Sequence, residues 1–146
     1  MAPDGGAEVS EQMEEYLETI YRLELEGEVA KTGEIARHLK VAPPSVTDML
    51  QRLEKAGFAI YEPYKGASLT EPGRRVARGI LSRHRIMQAF LQQACGMGHR
   101  EAHEAACGME HTIPPQLERW MAGYLERERG VPFDVTRKVK DQIKSR

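Results

Sequence analysis

Val41-Ala42-Pro43-Pro44-Ser45 is the most restrictive stretch of this chain. Two consecutive prolines cannot lie inside a helix, because each lacks the donor N–H and its ring collides with the preceding turn. Proline is nevertheless well suited to a helix's first turn, where those N–H groups have no partner anyway. The stretch therefore ends one helix and starts the next. Behind it, Val46, Met49, Leu50 and Leu53 recur at helical spacing until Gly57. In front of it, Thr32 is placed to cap a short helix in which Ile35, Ala36 and Leu39 face inward.

The flanking segments can be read by the same signals. Ser10 offers an N-cap, acids fill the first turn, and Met13, Leu17, Ile20 and Tyr21 share a stripe that predicts a first helix ending near Gly27. After Gly57, FAIYEPYKGASLT (58–70) reads as a two-stranded hairpin with its turn at Tyr64-Lys65-Gly66-Ala67. Thr70 caps a long helix carrying Val76, Ile80, Leu81, Met87 and Leu91, which ends near Gly96-Met97-Gly98. A further helix runs from about His99 to Pro114-Pro115, and a last one, about 116–128, is expected to bury Leu117, Trp120, Met121 and Leu125.

Helix, short helix, turn, helix, hairpin is the order of a winged helix-turn-helix. The predicted fold is mostly α: a disordered start at 1–9, a winged helix-turn-helix with a small two-stranded wing at 10–75, a helical domain at 76–130, and a polar, basic tail at 131–146. In such a design the helix after the turn enters the major groove, and the wing follows the backbone. Small or hydroxyl-bearing Ala42, Pro44, Ser45 and Thr47 suit close approach to bases and phosphates, and Arg37, Arg52, Lys55 and Lys65 suit phosphates. The alternative for such a module is a surface for protein contacts. Charge favours the polyanion: the formal net charge of −1 conceals ten bases against five acids in residues 33–85, behind nine acids against two bases in residues 1–32.

Nothing in the chain resembles a membrane span or an export signal, so no membrane partner and a cytoplasmic location are expected. Cys95 and Cys107 are too few for a disulfide framework, and in a reducing compartment both are thiols available to a metal. The segment HEAACGMEH (103–111) spaces His103, Cys107, Glu110 and His111 at four, three and one. On a helix that gathers imidazole, thiolate and carboxylate within a turn or two, as a divalent transition metal requires. It is not a structural zinc pattern, which would show a paired C-x-x-C. Glu15 and Glu18 share a face of the first helix, where carboxylates are ordinarily solvated. A lone His84, amid basic residues, reads as a phosphate neighbour or surface residue, while His38 and His99 fit no cluster. Two rivals remain: a thiol redox sensor on a metal-independent winged helix, using Cys107 or Cys95, and a metallohydrolase, disfavoured because no nucleophile, oxyanion donors or general base accompany the cluster. The expectation is a non-enzyme.

EEYLETIYRLELEG (14–27), IARHLKVAPPSVTDMLQRLEKAGF (35–58), LTEPGRRVA (69–77), RHRIMQAFL (83–91) and HEAACGMEH (103–111) together resemble the diphtheria toxin repressor family, which includes iron-dependent repressors and shorter manganese-dependent regulators. The resemblance covers about residues 12–128. It implies a dimeric, metal-activated repressor with a helical dimerisation domain, binding a palindromic operator in double-stranded DNA and using iron(II) or manganese(II). It implies metal ligands at Glu15, Glu18, His84, Cys107, Glu110 and His111, with His103 matching a histidine of an ancillary site. The DNA match falls on Ala42, Pro44, Ser45 and Thr47. Iron-type members carry methionine at the place of Glu15, whereas manganese-type members carry an acid there and a Glu at the place of Cys107, so this ligand set is mixed. Gln88 stands where iron-type members have a Glu of the ancillary site, and the SH3-like third domain of longer members has no counterpart here. Asp48 replaces a more usual Gln or Lys on the recognition helix and is expected to pair with Arg52 at i,i+4.

Overall fold

The computed structural model describes residues 8–130 and 132–134, so most of the expected disordered start and of the 131–146 tail lies outside the described residues. The chain divides between Arg78 and Gly79 into two compact units. In the first, α1 (Glu11–Leu25), α2 (Thr32–Leu39) and α3 (Pro43–Lys55) precede an antiparallel hairpin of β1 (Ala59–Glu62) and β2 (Gly66–Leu69). The long α4 (Glu71–Cys95) begins there and continues into the second unit, which adds α5 (His99–Met109) and α6 (Pro115–Arg129). Among the described residues, six helices and a two-stranded wing make the chain mostly α.

Local chemistry accounts for the first unit's elements. Ser10 caps α1 by accepting from the backbone N–H of Met13 at 3.2 Å. Thr32 is not the cap of α2 but its first helical residue: Lys31 is extended, and its carbonyl accepts from the Ile35 N–H at 3.0 Å. Lys40 closes α2 in the left-handed conformation at φ 56°, an unusual position for a side-chain-bearing residue, and this makes the tight turn into α3. Pro43 opens α3 as its composition requires, and Val46, Met49, Leu50 and Leu53 are all buried, together with Leu17, Ile20 and Ile35. Leu39 is only half-buried.

The wing's turn falls earlier than expected. Glu62 pairs with Gly66, leaving Pro63-Tyr64-Lys65 as the loop, while Gly66 and Ala67 belong to β2. The reason is a third backbone segment: the Ala67 N–H donates to the Ala30 carbonyl at 2.9 Å, pulling that residue into the sheet. Gly66 has φ +116°, and a Cβ there would meet the Ala30 oxygen at 2.9 Å. The wing is then tied to the helices. Glu24 on α1 accepts from the Leu69 N–H at 3.0 Å and from Arg74 Nε at 3.4 Å. Thr70 accepts from the Gly73 N–H at 3.2 Å and donates to the Gly57 carbonyl at 2.7 Å.

The second unit packs Ile86, Met87, Ala89, Ala106, Met121 and Leu125 into its own core, flanked by Phe90 and Tyr124 in an edge-on ring contact at 5.4 Å. Val76 and Leu91, expected in the buried stripe of α4, are half-buried. On α6, Met121 and Leu125 are buried as expected, but Leu117 and Trp120 are not, with 38% and 65% exposure. Within one chain the apolar stripe of α6 is wider than the core it faces.

Candidate metal centre and nucleic-acid interface

In the second unit, His84 and Gln88 lie on successive turns of α4, and His103 and Cys107 on successive turns of α5. Glu110 and His111 depart from the expected single helical face: α5 stops at Met109, Glu110 is its C-cap, and His111 lies in the following turn. That turn brings both side chains inward, and each is nearly sealed, at 4% and 5% side-chain exposure. His84, read from sequence as a surface residue when taken alone, is buried.

The side chains converge. Nδ1 of His84 lies 2.5 Å from Oε2 of Glu110 and 3.8 Å from Sγ of Cys107, while its Nε2 lies 3.0 Å from Nδ1 of His103. The Cys107 sulfur is 3.6 Å from Nε2 of His103, and the second Glu110 oxygen is 3.4 Å from Nε2 of His111. Donor atoms of His84, His103 and Cys107 all fall within 4.8 Å of one another. Ligands held at about 2.0–2.3 Å from one transition-metal ion are themselves roughly 3–4 Å apart, so the spacing and the imidazole–thiol–carboxylate chemistry both fit such an ion. Gln88 is buried and turned toward His99, its Nε2 3.3 Å from that ring's Nδ1 and 3.4 Å from its carbonyl. His99 had offered no sequence signal for this contact.

Glu15 and Glu18 belong to the first unit. Glu15 is exposed, and beside it burial and then the Glu15 carboxylate push the Tyr16 phenol above its ordinary pKa. Glu18 is buried, and its Oε1 accepts from Nη2 of Arg22 at 2.6 Å. The sequence signal for Arg22 is its i,i+4 spacing from an acid.

The interface candidates also lie in the first unit. Ala42, Pro44 and Ser45 are exposed at the N-terminal end of α3, and Thr47 is half-buried with its hydroxyl donating to the Pro43 carbonyl at 3.4 Å. Arg37 pairs with Glu34, and Lys65 with Glu62 at 3.2 Å. Arg52 and Lys55 are exposed. The expected Asp48–Arg52 pair is not formed among the described residues: both side chains are exposed, where a single ion pair gains little over solvation. A groove of about 530 Å³ opens along the start of α2, α3 and the wing, lined by residues that include Lys31, Gln51 and Tyr64, none of them an interface candidate from the sequence. Tyr64, at the wing tip with φ 67°, is fully exposed.

Residues 8–67 match the family model described as iron dependent repressor, N-terminal DNA binding domain, and residues 70–130 the model described as iron dependent repressor, metal binding and dimerisation domain. An uncharacterized HTH-type transcriptional regulator of Methanocaldococcus jannaschii is 35% identical over 120 residues, covering 82% of this chain and 96% of that protein. The diphtheria toxin repressor of Corynebacterium glutamicum is 32% identical over 120 residues, covering 82% of this chain and 53% of the repressor. The solved structure of the manganese regulator SloR superposes with a TM-score of 0.68 at 27% identity, covering 80% of this chain and 54% of that one. The chain thus spans nearly all of the Methanocaldococcus jannaschii relative and about half the length of the other two.

Proposed function

This chain belongs to the iron-dependent repressor family, and we propose that it represses transcription when loaded with iron(II) or manganese(II), binding a palindromic operator as a homodimer. The observation that carries this reading is the convergence of His84, His103 and Cys107, with Glu110 on His84 and His111 on Glu110, inside the unit matched by the metal-binding model. The ion, when bound, supplies a fixed divalent charge that neutralises the thiolate and carboxylates and holds them together. His84 offers its second nitrogen to a neighbour while the first is engaged, which fixes the ring's orientation. Glu15 and Glu18 complete the donor set by the family resemblance. Donors drawn from α1 couple metal occupancy to the unit that reads DNA. The ion is an effector in this reading, not a catalyst.

Operator recognition falls to α3. Ala42, Pro44, Ser45 and Thr47 approach base edges and phosphates, and Arg37, Arg52 and Lys65 meet phosphates, Arg37 and Lys65 by exchanging their carboxylate partners for the DNA backbone. Leu117 and Trp120 face outward from the unit matched by the dimerisation model, and burying them against a second copy explains an apolar stripe that one chain leaves exposed. No helix among the described residues is long and apolar enough to cross a membrane. This reading places the protein in the cytoplasm, beside its operator. The test is metal uptake by the purified protein, read by calorimetry, with His84→Ala and Cys107→Ser as companions. Wild type is expected to bind iron(II) or manganese(II) and both variants to bind far more weakly; equal uptake by all three would reject the site.

A further inference from the structure

Glu18 is a buried carboxylate in a helix whose own sequence supplies almost no compensating charge: residues 1–32 hold only two bases, and one of them, Arg22, stands one turn along with Nη2 2.6 Å from Glu18 Oε1. We propose that Arg22 is a resident competing cation at the Glu18 donor and that it sets the concentration at which metal is taken up. The inference rests on the reading of Glu18 as a ligand given above.

The two side chains are unequal partners. Glu18 is held, at 9% side-chain exposure, whereas Arg22 keeps 36% of its side chain in contact with solvent. Burying a carboxylate without a counter-charge is costly, and in the metal-free protein the guanidinium offsets part of that cost. A divalent ion coordinated by the same carboxylate supplies that compensation itself. Two cations on one carboxylate then repel, and the repulsion is subtracted from the ion's affinity. The guanidinium is poorly anchored against this: its contact with Glu18 is through Nη2, and its Nε is buried without a partner among the described residues. With a third of its side chain already solvated, Arg22 can yield the carboxylate without the helix opening. If Arg22 instead served to orient Glu18 as a hydrogen-bonded outer partner, its loss would weaken metal binding. The two roles give opposite signs.

The test is calorimetric titration of the chelator-treated protein with manganese(II) and with cobalt(II), the latter also followed by its absorption spectrum. Arg22→Gln keeps an N–H donor near Glu18 and removes the charge, so its Kd is expected to fall by about tenfold, with the gap to wild type narrowing as salt is raised. Arg22→Met is expected to shift in the same direction and serves if the glutamine variant does not fold. Arg22→Lys, which keeps the charge, is expected to stay within about threefold of wild type. In a Glu18→Gln background, Arg22→Gln should bring no further tightening, the signature of a coupled pair. A folded charge-removing variant that binds metal no tighter than wild type, while wild type itself binds, overturns this inference alone. A wild-type protein that takes up no metal overturns the ligand assignment, and this inference with it.

Discussion

Nδ1 of His84, on α4, lies 2.5 Å from Oε2 of Glu110, at the end of α5, and the two side chains are 2% and 4% exposed. They stand 26 positions apart in the chain. A buried contact between an ionisable ring and a carboxylate is expensive to maintain for stability alone. In a metal-binding unit it has a second use, because donors already gathered need little reorganisation to accept an ion.

Metal should therefore stabilise the fold as well as activate it. At a hundredfold excess of free metal over Kd, the stabilisation is expected to be about 2.7 kcal/mol, visible as a rise in Tm that chelator reverses. Glu110→Gln should abolish most of that rise while leaving a folded protein by circular dichroism. An undiminished metal-dependent shift in this variant would remove Glu110 from the site.

In the proposed site, Cys107 is expected to carry the choice of metal. A thiolate favours iron(II), cobalt(II) or zinc(II), whereas Glu15, Glu18 and Glu110 are hard oxygen donors suited to manganese(II). Iron(II) is expected to activate at lower concentration than manganese(II), and Cys107→Glu is expected to reverse that ranking with operator binding retained. The measurement is operator affinity against free-metal concentration under anaerobic conditions. An unchanged ranking in the variant excludes the sulfur as a ligand.

Ser45 is exposed at the N-terminal end of α3. In the proposed complex Ser45→Glu sets a carboxylate against base edges and phosphates, and it should remove operator binding, by more than a hundredfold in Kd, with metal uptake and dimerisation intact. Fluorescence anisotropy with labelled operator, alongside sedimentation, checks this. Retained affinity would mean that another element reads the DNA.

Gly73 tests the packing of the first unit independently of function. A Cβ on Gly73 would sit 2.0 Å from the Phe58 carbonyl oxygen, a backbone atom that cannot simply turn aside. Gly73→Ala is expected to destabilise by about 1–3 kcal/mol despite alanine's better helix propensity. Thermal unfolding decides it, since propensity alone would raise Tm.

The elements legible in the sequence were those set by local chemistry: the Ser10 cap, the proline start of α3 and the stripe of Val46, Met49, Leu50 and Leu53. What escaped was set by distant partners. The wing's turn shifted because Ala30 draws Ala67 into the sheet, and nothing within 58–70 announces Ala30. Leu117 and Trp120 were expected inside because periodicity identifies an apolar stripe without saying what covers it. In the candidate site, His103 and Cys107 do come together at i,i+4, but Glu110 and His111 reach it from a turn and not from the helical face that their spacing suggested. The pairing of His84 with Glu110 is non-local, and only the family resemblance had placed them in one ligand set. Gly73 gave no sign, because its close neighbour is a backbone carbonyl of the connection between α3 and β1.

Operator DNA titrated with the metal-free protein, then with protein loaded with iron(II) or manganese(II), bears most directly on metal-dependent repression. Affinity is expected to rise by at least tenfold on loading, to fall again on adding chelator, and to stay at the metal-free level in His84→Ala whatever the metal concentration. Equal affinity in chelator and in excess metal, with wild type and His84→Ala indistinguishable, would contradict it.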